Sequence, residues 1–178
     1  MHFMNTPTNT KYRDAVFDPE TWQRLACELV DAAEAMEAKL QKFWEGVHHG
    51  KWNDAQVAIY FMLCAYALEN LIKAKIVENK ISTEGVPTNV QELPKDLKCH
   101  DLIVLLKRCR RESLAEEYAS ILKRLSRSSI WYGRYPVPLA AGSMEPVESS
   151  GEPVSLTAYS SNDRHEIKKL FSEFGLNR

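Results

Sequence analysis

Glu69 and Lys73 stand four residues apart at the end of a stretch, Val57 to Leu68, that carries no charge. On a helix this spacing sets a carboxylate and an ammonium on one face. There Glu69 can act as a general base, as an orienting group for an arginine, or simply as half of a surface ion pair with Lys73. His100, directly before Asp101, can exchange a proton near neutral pH, and it can equally cap a helix by satisfying free backbone amides. Arg134 offers a planar, permanently charged fork suited to phosphate, and Pro136 and Pro138 restrict the backbone that carries it. Trp131, Tyr132 and Tyr135 beside it are flat surfaces on which a base can stack. In the alternative reading Trp131 and Tyr135 pack into the bundle and Arg134 pairs with Glu69, pinning a loop to a helix. His165 follows Arg164 and reaches Arg134 only if the last helix folds back. The candidate catalytic residues are therefore Arg134, His165 and Glu69. The candidate ligand-binding residues are Arg134, Tyr135, Trp131, Tyr132, Lys73 and His100.

Other chemistries find little support. Glu45-Gly-Val-His48 has the spacing of a helical di-iron ligand pair but no second copy, and the adjacent His48 and His49 are an ordinary loop pair, so no metal site is expected. No glycine-rich phosphate loop or Gly-x-Ser-x-Gly elbow is present, and no cofactor is expected. The four cysteines, Cys27, Cys64, Cys99 and Cys109, form no Cys-x-x-Cys pair, which fits a reducing cytoplasm. The net charge of −1 gives no global attraction to nucleic acid or membrane. Locally it is uneven: eight basic residues against three acidic between Lys107 and Arg134, and four against eight between Arg13 and Glu45. A phosphate-bearing ligand would prefer the first region, although helix surfaces are commonly rich in Lys and Arg.

The chain of 178 residues, 44% apolar and 26% charged, suits a single domain. Residues 1–17 are polar and unpatterned and read as a flexible tail, so the domain spans 18–178. Asp18-Pro19-Glu20 starts a first helix, whose Trp22, Leu25, Leu29, Ala32, Met36, Leu40, Phe43 and Val47 make one apolar stripe ending near Gly46. Asn53 or Asp54 caps a second, running to about Asn79. It holds the uncharged run, too short for a membrane span and therefore a core helix. Lys80 to Cys99 reads as a loop. His100-Asp101 opens a third helix with Leu102, Leu105, Leu106 and Cys109 on one face, and Ser113-Leu-Ala-Glu116 reads as a capping box restarting the chain as a fourth. Pro138 to Asn162, with Gly, Ser and Pro and no Lys or Arg, reads as a mobile loop, a lid or slack. Asp163 and Glu166 begin the last helix, with Ile167, Leu170, Phe171 and Phe174 inward and Gly175 at its end. No strand pattern is visible. The expectation is an all-α up-and-down bundle of about five helices, the second at its centre.

The order Glu69-x-x-x-Lys73, then His100-Asp101-Leu102, then Gly133-Arg134-Tyr135-Pro136, on an all-helical background over roughly residues 20–175, resembles the HEPN domain. The resemblance implies an all-α bundle. Many members are metal-independent ribonucleases acting as homodimers, with an arginine followed four to six positions later by a histidine at the start of a late helix. Here Arg134 is followed by Tyr-Pro-Val-Pro-Leu-Ala, so that motif is absent in its usual form. Versions with an Arg-Tyr-Pro segment resemble accessory domains partnered with nucleotidyltransferases or other effectors. The expectation is an RNA- or nucleotide-binding module in the cytoplasm, a homodimer and an accessory or catalytically degenerate member, with a partner such as a nucleotidyltransferase or an antitoxin in a defence or toxin-antitoxin system. An RNase using Arg134 and His165, and a helical interaction partner that binds no nucleic acid, are the alternatives.

Overall fold

The computed structural model describes residues 7–45, 54–134, 145–149 and 151–177, with Pro7, Phe43, Trp44, Trp131, Tyr132 and Ser149 described by their backbone alone. The fold is all-α: 71% helix, with seven α-helices and one two-stranded hairpin among the described residues. The helices are α1 (Pro7–Val16), α2 (Pro19–Trp44), α3 (Asp54–Glu84), α4 (Leu102–Arg108), α5 (Glu112–Glu117), α6 (Ala119–Arg127) and α7 (Ser161–Ser172). A π-helical turn, Ser128–Tyr132, continues α6, and strands β1 (Val147–Ser149) and β2 (Glu152–Val154) precede α7.

The centre is α3, as its charge-free run requires. Sixteen of its 31 residues are buried, all round the helix rather than along one stripe, which is the signature of a core helix. By length and composition it could cross a membrane, but 67% of its most apolar window is covered by the rest of the bundle. It runs five residues past the expected end at Asn79. Ser82 and Thr83 donate to the carbonyls of Glu78 and Asn79, and Gly85, at φ +75°, ends it.

Helix α2 packs along α3 more extensively than any other element, but not on the expected stripe. Its buried residues are Ala26, Val30, Ala33, Glu37 and Leu40, while Leu25 is 51% exposed and Ala32 is on the solvent side. The two alanines let the helix axes approach closely, and the larger Trp22, Leu29 and Met36 flank the seam instead of filling it. A carboxylate in the middle of the buried face, Glu37, hides this register from a hydrophobicity pattern.

Three further expectations are corrected. Part of the supposed N-terminal tail is α1, fastened by buried Val16 and Phe17 and by the Trp22 indole, which donates to the Val16 carbonyl at 3.0 Å. The supposed capping box at Ser113 is not formed: α5 begins at Glu112 without a side-chain cap, and a break at Tyr118 separates it from α6, so that bundle arm is two helices. The segment 138–162 contains the hairpin, turned at Gly151 (φ +83°), with Val147 opposite Val154; strands of three residues are too short to leave a visible alternation. Val147 and Leu156 form their own small apolar cluster. The loop residues His48, His49 and Asn53 lie outside the described residues, as do residues 135–144.

Candidate functional site

Met62, Tyr66, Glu69, Lys73 and Lys80 recur at steps of three, four and seven, so they share one face of α3. Each position on this face receives something from another element. At Met62 the chain of Gly133 comes so close that a Cβ there would lie 2.6 Å from Met62 Cβ. The Tyr66 hydroxyl donates to the Ser129 carbonyl at 2.9 Å. At Glu69 sits His100, and at Lys73 the Trp22 ring, its centroid 5.8 Å from Nζ.

The π turn that delivers Arg134 has a local cause. Ser128 and Ser129 are buried, and their hydroxyls donate to the carbonyls of Arg124 and Ser126, competing with the helical ladder. The backbone widens, and Gly133 N–H reaches back five residues to the Ser128 carbonyl. Glycine is required next because of Met62, and Arg134 follows at once, exposed. From Met62 to Glu69 is seven residues, about 10 Å along α3. Arg134 thus leaves the bundle one residue beyond Met62, with His100 further down the same helix face.

Glu69 and Lys73 are not the surface pair that their spacing allowed. Their side chains are 8% and 4% exposed, and Lys73 Nζ lies 2.6 Å from Glu69 Oε1. His100 Nδ1 is 3.1 Å from both oxygens of the same carboxylate. A carboxylate paired with lysine only accepts, so Nδ1 carries the proton and donates, and Nε2 is left for solvent on a side chain that is 59% exposed. The helix cap is its neighbour: Asp101 accepts from Val104 N–H at 3.1 Å. The carboxylate of Glu69 is held by Lys73 and His100, which replaces the expected Arg134–Glu69 pin.

The remaining predicted residues fall as follows. His165 is exposed on α7, half a turn from the buried Asp163, Ile167, Leu170 and Phe171, and among the described residues it makes no hydrogen bond or ion pair with Glu69 or Arg134. It therefore faces away from the bundle. Trp131 and Tyr132 lie on the π turn, described by backbone only, and Tyr135 lies outside the described residues. The basic surplus also thins out. Arg124 is 3% exposed and bound to Asp163 at 2.6 Å, Arg111 stands 3.6 Å from Glu173, and Arg127 donates to the Glu145 carbonyl. Lys107, Arg108, Arg110, Lys123 and Arg134 remain exposed.

On the opposite side of α3 lies a buried polar network that the sequence did not single out. Arg124 stacks 4.9 Å from the Phe61 ring centroid and donates to Asp163 and to the Ala158 carbonyl. Asp163 in turn closes a capping box with Ser160 at the start of α7. Glu37 accepts from the Tyr159 hydroxyl at 3.1 Å, and Arg164 Nε stands 2.5 Å away with its N–H off the line, an ion pair by distance rather than a hydrogen bond. Burial pushes Tyr60, Cys64 and Tyr159 far above their ordinary pKa values, and the Glu37 charge adds to the rise. These contacts moor residues 158–164 to α2 and α6. The only trace in the sequence is a glutamate four residues before Gln41 in an otherwise apolar seam. Among the described residues, no cluster of His, Cys, Asp and Glu could hold a metal ion. No protein-family model, curated protein or solved structure matches the chain.

Proposed function

We propose that this chain is a HEPN-like module that binds RNA or a nucleotide on the exposed side chains of Arg134 and His100, which the covered Met62–Lys73 face of α3 holds in place. In this reading it is a cytoplasmic homodimer and an accessory partner to a nucleotidyltransferase or an antitoxin, in a defence or toxin-antitoxin setting. The observation that carries it is the seating of Gly133 on Met62, which holds an exposed arginine above a helix face that also presents His100. Arg134 takes a phosphate through its fork, and His100, aimed by Glu69, supplies a second polar contact. Lys73 keeps Glu69 charge-balanced, so the carboxylate does not repel the ligand. Fluorescence anisotropy with a labelled single-stranded RNA tests it. Arg134→Ala should weaken binding by roughly 10- to 100-fold, the worth of a charge-assisted hydrogen bond, and flatten the salt dependence by about one phosphate contact. Unchanged affinity in a folded variant refutes the reading.

A second reading, metal-independent RNA cleavage, is favoured by the Glu69–His100 contact alone. A histidine whose Nδ1–H is fixed by a buried carboxylate has its other nitrogen free to take a proton. Here His100 replaces His165 in the acid-base role. The same RNA incubated in chelator should be cleaved by the wild type and by His165→Ala and left intact by His100→Gln. Cleavage by His100→Gln excludes that role.

A further inference from the structure

At the far end of α3, eleven residues or about 16 Å beyond Glu69, an open cleft of ≈ 380 Å³ lies between the last turn of α3, the loop before α4 and the end of α4. Its size falls in the range of small-molecule pockets, roughly 300–1,000 Å³. Its charged lining consists of Lys80, Arg108 and Arg110 against Glu84 and Asp96.

We propose that this cleft binds a sugar phosphate, such as a nucleoside monophosphate, with the phosphoryl group on Arg108 and Arg110 and the sugar hydroxyls on Glu84. Asp96 builds the wall. Its carboxylate is taken by Lys80 at 3.0 Å and its carbonyl by Arg108 Nη1 at 2.5 Å, so one acidic residue is neutralised while the Arg108 guanidinium is held at the rim. Arg110 is the telling residue. The N–H of Arg111 bonds to the Leu106 carbonyl and that of Arg110 to the Lys107 carbonyl, the paired hydrogen bonds of a Schellman turn. Arg110 occupies its left-handed position at φ 61°, where glycine is the unstrained choice. Among the described residues the exposed Arg110 side chain makes no hydrogen bond or ion pair, so its guanidinium lines the cleft with its donors available to a ligand. Glu84 and the final carbonyls of α3 would repel a bare anion, but they are acceptors for hydroxyl donors, which selects a phosphate that carries a sugar.

The experiment compares wild type with Arg110→Gly by calorimetric titration of adenosine monophosphate, ribose 5-phosphate and adenosine. Because glycine relieves the left-handed strain, the variant should melt at the same temperature as wild type or higher. It should lose roughly 10- to 100-fold in affinity for both phosphates, while adenosine binds neither protein. Glu84→Gln should weaken ribose 5-phosphate and leave the melting temperature unchanged. Equal binding of the phosphates by wild type and Arg110→Gly, or no binding by wild type, overturns the proposal. So does a short RNA without terminal phosphates that alone depends on Arg110, since the cleft would then be a stretch of an RNA path. This test is independent of Arg134: loss at one site with retention at the other separates the two readings.

Discussion

Replacing Gly133 with alanine probes the joint on which the placement of Arg134 depends. The added methyl would meet Met62 Cβ at 2.6 Å, Sδ at 2.8 Å and Cγ at 3.0 Å. Carbon atoms rest about 3.5–4 Å apart, so the π turn and α3 must separate by about 1 Å. The nearest atom is a Cβ, and no rotamer of Met62 relieves the contact. Overpacking of this kind costs about 1–3 kcal/mol. Gly133 does not have a left-handed φ, so alanine also restricts the unfolded chain and recovers about 0.4–1 kcal/mol. The net loss is about 1–2 kcal/mol, read as a lower midpoint in urea with an unchanged slope. RNA affinity should fall as well, because the displaced residue is the one next to Arg134. Met62→Ala keeps the Cβ and should not rescue Gly133→Ala, whereas Met62→Gly should bring the coupling of a double-mutant cycle to light. An alanine variant as stable as wild type would show that the close approach to Met62 does not set the turn.

Two other perturbations reach the buried network. Tyr60, Tyr159 and Cys64 keep their protons in the fold but ionise near 10.0, 10.0 and 9.0 in the unfolded chain, so the unfolded state loses protons first as pH rises. Stability is therefore complete below about pH 9 and declines above it; urea midpoints should fall along that series, less steeply in Tyr60→Phe, and a flat profile refutes the assignment. Asp163→Ala leaves Arg124 buried without its counter-charge and should cost about 3–5 kcal/mol in the same assay; a loss below about 1 kcal/mol would mean that the pair behaves like a surface contact.

How much of this was legible depends on sequence distance. The charge-free run announced α3 as the core, because twelve uncharged residues have nowhere else to go. Gly175 marked the end of the last helix through local chemistry, which sequence carries well, while its start was misplaced by two residues: the cap is Ser160, and Asp163 is the third helical residue that closes the box with it. The face of α2 was misread by about one residue, because Ala26, Ala33 and Glu37 occupy the seam while larger apolar side chains stand beside it. Glu69, Lys73 and His100 were each visible as candidates, but their union spans 31 residues and needs the loop before α4 to run back along α3. His165 looked suitable by type and order, and only the helical phase of α7 turns it outward. Arg110 drew notice only as one charge among eight, since its conformation, not its identity, sets it apart.

The hairpin between Glu145 and Val154 is tied down on both flanks, through Arg127 to Glu145 before it and through Arg124 and Glu37 to Ala158 and Tyr159 after it. Its tip at Gly151 carries no tie of that kind and no neighbour within 4 Å of a side chain placed there. A break in the backbone at this tip would leave both flanks still fastened to α6, the second of them to α2 as well. At this tip a tag, a reporter or a second domain could therefore be spliced in while the helical frame stays shut.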